Sequence, residues 1–141
     1  MSEQNKAIMR RIFDEVFNEG NLALVDELVA KDSIEHENNA HGAEGFKQTV
    51  AVFRTAFPDI QISVDDMIAE GDKVVARITM RGTHQGEFMG IPATGKTIAV
   101  QGIDIVRFAN GKAVEHWGVT DSAAMMAQLG VAPPVSGRRP A

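Results

Sequence analysis

Asn110-Gly111 constrains the fold more than any other feature, because it separates two segments in which apolar and polar residues alternate. Such a dipeptide between alternating segments is a strong β-hairpin signal. The flanking strands run to Phe108 and from Lys112, and carry Asp104 and His116, with Asp121 just beyond the second strand. With Gly111 in the left-handed position of a three-residue loop, Ala109 to Gly111, Phe108 pairs with Lys112 and Asp104 with His116. Asp104, Val106, Val114, His116 and Gly118 then share one face. A two-residue turn would pair Asp104 with Trp117 instead, so the inference depends on register. Two titratable groups meeting on an otherwise apolar sheet face point to a pocket with proton chemistry.

A chain of 141 residues makes one domain with a core of its own. The net charge of −5, with no basic run to offset it, argues against nucleic acid and anionic membrane surfaces as partners. The absence of cysteine excludes thiol catalysis, disulfides and thiolate metal sites. The N-terminus opens directly into an amphipathic pattern, and no stretch reaches the ~18–20 apolar residues of a membrane span. A cytoplasmic protein is the simplest expectation.

Ile8, Ile12, Phe13, Val16 and Phe17 recur at helical spacing after Ser2, and Gly20 ends that helix. A short second helix carries Leu24, Val25, Leu28 and Val29, and an extended segment spans Asp32 to Glu37. A third helix follows Gly42, with Phe46, Val50, Phe53 and Phe57 on one stripe, and Pro58 ends it. The period then changes to two, through Ile60 to Val64 and Val74 to Thr83, and a loop from Gly86 to Gly95 precedes the hairpin. Ser122 to Leu129 reads as a closing helix. Helices first and strands afterwards predict an α+β fold, with helices packed on one face of a curved antiparallel sheet. The domain is expected over residues 1–130, with a flexible tail over 131–141 holding Pro133-Pro134 and Arg138-Arg139.

Several short motifs, in order, resemble one family over roughly residues 4 to 130. They are Phe17-Asn18-Glu19-Gly20-Asn21, Gly82-Thr83-His84-Gln85-Gly86-Glu87-Phe88, Gly90-Ile91-Pro92-Ala93-Thr94-Gly95-Lys96, Ile103-Asp104-Ile105-Val106-Arg107-Phe108, and Gly111-Lys112 leading to Glu115-His116-Trp117 and Asp121. The chain resembles the SnoaL-like polyketide cyclases, or ester cyclase-like group, of the nuclear transport factor 2-like superfamily. That resemblance implies a cone-shaped α+β barrel with a deep apolar pocket, a homodimer joined through the outer sheet face, and no cofactor. It also implies cyclase- or isomerase-type acid–base chemistry on a hydrophobic, carbonyl-bearing small molecule, such as polyketide aldol cyclisation. The alternative is a non-catalytic small-molecule binding domain of the same fold.

Asp104 matches the position of the oxyanion-hole aspartic acid of ketosteroid isomerases. Buried and neutral it would donate a hydrogen bond to an enolate, with an elevated pKa; paired with Arg77 or His116 it would be structural. His116 has the natural range for moving protons at neutral pH. By resemblance Asp121 would do acid–base work, or else cap the last helix. His36 and Glu37 lie where relatives line the pocket mouth; only one can face inward, and His36 is preferred, with Glu37 as the fallback base. Arg77 is a candidate to meet Asp104 or a ligand carbonyl. Phe53, Met67, Met80, Phe88 and Met89 are the candidate lining. His41 and His84 are expected in solvent or loops. The histidines lack metal-ligand spacing, so no metal site is expected. Limonene epoxide hydrolase-like chemistry lacks its carboxylates, at Thr79 and Gly118, and no tyrosine exists to complete an isomerase oxyanion hole.

Overall fold

The computed structural model describes residues 2–131. Apart from Val131, the expected tail lies outside the described residues. Helix α1, Ser2–Arg11, continues as a π-helical stretch, Ile12–Asn18, which buries Ile12, Phe13 and Val16. A 3-10 turn, Leu22–Leu24, leads into the short α2, Val25–Leu28. Strand β1 covers Val29–Glu35 and helix α3 Gly42–Ala56. The sheet is completed by β2, Gln61–Glu70, β3, Lys73–Thr83, β4, Thr97–Ala109, and β5, Lys112–Thr120, before α4, Ser122–Leu129, closes the chain.

The five strands lie in the order β1-β5-β4-β3-β2. All neighbours are antiparallel except β1 and β5, which run parallel, so the expectation of a wholly antiparallel sheet is corrected at one edge. That pairing is topological in origin: α3 and the β2-β3-β4 meander intervene between the two strands, and no tight turn forces them to oppose. Irregularities in β2 and at the β4–β5 pairing bend the sheet around the helices. Its inner face, with Ile62, Val74, Ala76, Ile78, Met80, Val100, Val106 and Phe108, packs on Met9, Phe13 and Val16 from the first helix and on Val50 of α3 in one core. Asn18 fastens the end of the first helix to β2, donating to Ile62 O (3.0 Å) and accepting from Ile62 N (2.7 Å).

The hairpin forms at Asn110-Gly111, but with two residues rather than three in the connection. Ala109 pairs with Lys112, and both turn residues take positive φ, 54° and 79°. This is the mirror-image turn that matches strand twist. One step further, Phe108 pairs with Ala113 but Arg107 with Glu115, leaving Val114 as an extra residue. The bulge moves the register on by one, so Asp104 faces Gly118 and Val106 faces His116. The expected Asp104–His116 pairing is therefore off by two residues. A shift of two preserves the side-chain phase, so both still point to the inner face.

A Cβ on Gly111 would meet nothing within 4 Å, so Gly111→Ala tests backbone conformation alone. We expect a loss of ~1–2 kcal/mol, the cost of holding an L-residue left-handed. It should appear as a lower denaturant midpoint at unchanged slope; no change would contradict the two-residue turn.

Candidate active site

His116 stands on the inner face of β5 and is held from both sides. Its Nδ1 lies 2.6 Å from Glu35 Oε2 and its Nε2 lies 2.7 Å from Asp104 Oδ1. The first contact follows from the parallel pairing, which sets Glu35 beside His116 in register. The second is diagonal, reaching from β5 to β4 across Gly118. Burial disfavours the imidazolium, but the hydrogen bonds and negative charges of Asp104 and Glu35 outweigh it, and the histidine pKa is pushed up to about 10. At neutral pH His116 is thus a cation donating from both ring nitrogens. Burial raises the Glu35 carboxyl, yet the bond and charge of His116 more than offset this and hold it below the usual glutamate value.

Glu37 completes the cluster. Its backbone N–H donates to Glu35 Oε2 (2.8 Å), and its Oε2 accepts from Thr120 Oγ1 (3.0 Å). Here burial wins. Together with the nearby negative charge of Asp104, it raises the Glu37 carboxyl despite the bond from Thr120. The site therefore sets an imidazole that is protonated at neutral pH beside a carboxyl whose ionisation burial disfavours, a divergence that suits acid–base work. Asp104 accepts a hydrogen bond from His116, an arrangement other than the neutral-donor role expected of it. Among the described residues, Glu35, Glu37 and His116 could also reach one ion, their ligand atoms lying within 4.8 Å of one another. Sequence spacing could not show that set, because β1 and β5 are about 80 residues apart in the chain while adjacent in the sheet.

Other expected members lie elsewhere. His36 faces outward, its ring stacked on Trp117 at 5.0 Å and 7° and its Nε2 2.7 Å from Glu115 Oε2. The preference for His36 over Glu37 is thereby corrected: just past β1 the Glu37 carboxyl reaches Thr120 and the space over Gly118, while the His36 ring lies on Trp117. Arg77 is opposite Ile103 on the outer face, with Asp65 3.8 Å away, so it meets neither Asp104 nor the inner face. Asp121 is the N-cap of α4, its Oδ1 accepting from Ala124 N at 3.0 Å. Met80 and Phe88 are core residues, 5% and 4% exposed, whereas Met89 is 79% exposed on a loop. Phe53 and Met67 are half-buried against the core. His41 is exposed and accepts from Glu35 N, as a loop residue would. His84 is a loop residue just past β3, as expected, but it is fully buried rather than in solvent, lying beside Phe57 with Thr94 N donating to its Nδ1.

Two open hollows lie away from these groups. One, about 670 Å³, is on the outer face among Ile68, Lys73, Val75, Ile105 and Trp117. The other, about 580 Å³, lies at the β3–β4 end near Asp59, Arg81 and Gln128. No helix among the described residues is long and apolar enough to cross a membrane.

Compared with known proteins, residues 7–129 match the family described as SnoaL-like polyketide cyclase. The aklanonic acid methyl ester cyclase of Streptomyces sp. (strain C5) is 28% identical, over 92% of this chain and 83% of that protein. Among solved structures, TsrD from Streptomyces laurentii is 29% identical with a TM-score of 0.84, covering 91% of this chain and 96% of its own. IdmH from Streptomyces antibioticus, a proposed polyketide cyclase, is 33% identical with a TM-score of 0.79, covering 91% and 99%.

Two outcomes follow from this geometry. Because the folded-state pKa of His116 lies above its ordinary 6.5, its contribution is complete below pH 6.5 and is lost as pH rises toward about 10. Chemical unfolding should show stability falling across that window, by at most about 5 kcal/mol for the full shift and less with solvent screening of this partly exposed group; His116→Gln should flatten this pH dependence, and an equally steep variant would contradict the assignment. Asp121→Ala should cost ~1 kcal/mol as a lost cap and leave the NMR titration of His116 unmoved; a displaced titration would place Asp121 in the site after all.

Proposed function

Because the chain belongs to the SnoaL-like polyketide cyclase family, we propose that it is a cofactor-independent, cytoplasmic acid–base enzyme closing a ring in a hydrophobic, polyketide-like carbonyl compound. The observation that carries this reading is the convergence of Glu35, Glu37, Asp104 and His116 on one inner patch, with the imidazole charged and the Glu37 carboxyl raised. In the proposed reaction, Glu37 as carboxylate takes the proton from a carbon next to a carbonyl. The enolate carbon attacks a second carbonyl of the same molecule, forming a C–C bond and an alkoxide. Protonated Glu37 then returns its proton to that alkoxide, so no proton is gained or lost. His116, oriented by Glu35 and Asp104, supplies positive charge near the developing enolate. Phe53 and Met67 are the proposed apolar lining. The relatives' names supply the substrate class: a methyl ester of a polyketide acid, neutral where this patch carries an excess of carboxylates.

The test is turnover of aklanonic and nogalonic acid methyl esters, followed by chromatography. Ring closure by the wild-type chain, reduced about 100-fold or more in Glu37→Gln and retained in Asp121→Ala, is the expected outcome. Retention of such a compound without turnover would favour the binding-domain alternative.

We also propose a homodimer joined through the outer sheet face, where Ile68, Ile103 and Val119 are 62%, 49% and 74% exposed around Trp117. Sedimentation at micromolar concentration should give a dimer mass, and Ile103→Glu with Val119→Glu should give a folded monomer. A monomeric wild type would refute the interface.

A further inference from the structure

We propose that Gly118 is a positioning residue whose missing side chain is the space in which Glu37, Asp104 and His116 meet; this rests on the site reading above. In register Gly118 sits opposite Asp104, in the middle of a strand and on its inward phase. A Cβ built there would lie 2.6 Å from Glu37 Oε1, 2.7 Å from Asp104 Oδ1 and 2.9 Å from His116 Cε1. All three are closer than real Cβ contacts come. Other strand glycines meet different neighbours: Gly102 would approach the backbone oxygen of Val119 and Gly82 the Phe57 side chain. Gly118 alone among these three is crowded by the polar cluster.

Backbone conformation does not require the glycine. Gly118 is absent from the positive-φ residues, which in this chain occur at turns, loops and helix ends such as Gly20, Gly111 and Gly130. A glycine in mid-strand sacrifices side-chain packing and commonly marks a close approach by another group. Here the approaching groups are the ends of flexible side chains rather than main chain. Alanine at 118 is therefore compatible with the fold but not with the cluster: Glu37 must swing away, and the diagonal Asp104–His116 bond must lengthen or break.

This separation makes the role testable. We expect Gly118→Ala to fold with a melting temperature close to wild type. The His116 titration, followed by ring NMR signals, should drop by about one pH unit or more as the contact to Asp104 weakens. Any pH–rate profile should shift with it, which a merely structural glycine would not cause. A His116 titration unchanged in Gly118→Ala would overturn the proposal. Should Gly118→Ala fail to fold, the double variant with Glu37→Ala decides: recovery of folding confirms the clash with the Glu37 carboxyl, and failure again overturns it. Movement of the titration in a chain that turns over no ester would leave the positioning role intact and refute the cyclase reading alone.

Discussion

The two hydrogen bonds of His116 tie the β4–β5 hairpin to a strand from far earlier in the chain: β1 through Glu35, β5 through the imidazole itself, and β4 through Asp104. A partly buried charge is stabilising only when its partners are well placed, and removing one partner leaves the remainder uncompensated. The arrangement depends in turn on the parallel edge pairing, which sets Glu35 beside His116, and on the Val114 bulge, which decides what Asp104 faces. Glu37 then occupies the space left over Gly118. Burial of its carboxyl and the neighbouring charges of Asp104 and Glu35 oppose its ionisation, and the pull of His116 and the bond from Thr120 do not offset them.

The two faces of the sheet divide the charges in a way that matters for ligands. Lys73, Arg77 and Arg107 project outward, with Arg107 bound to Glu115 and Lys73 over Trp117. The inner patch gathers the carboxyl groups of Glu35, Glu37 and Asp104 around one imidazole. An anionic ligand therefore finds repulsion on the inner side, whereas a neutral carbonyl compound meets a hydrogen-bonding surface. The same division gives the outer face an apolar centre with charged surroundings, the feature on which the proposed homodimer rests.

Local chemistry made the hairpin and the order of elements legible in the sequence. Asn110-Gly111 could be read as a turn, and the shift from helical to twofold period after Pro58 marked the start of the meander. Asp104 and His116 fell on the correct face even though their register was two residues off, since an even shift cannot change phase. Long-range placement was not legible. The β3–β4 connection is a long loop, so nothing local fixed which way Arg77 points. The parallel partnership of β1 is set by the whole fold, so Glu35 gave no signal and His36 could not be told from Glu37. Family resemblance supplied neighbourhoods rather than orientations: Asp121 lies at the expected strand end, where it caps α4.

The central claim is that a histidine stays charged at mildly alkaline pH because two carboxylates bracket it. The most direct measurement is nitrogen-15 NMR of the His116 ring at pH 8. Both ring nitrogens should be protonated, with correlations to two exchangeable protons. A neutral ring with one protonated nitrogen at that pH would contradict the account, because the Glu35 and Asp104 contacts would then not be holding an imidazolium.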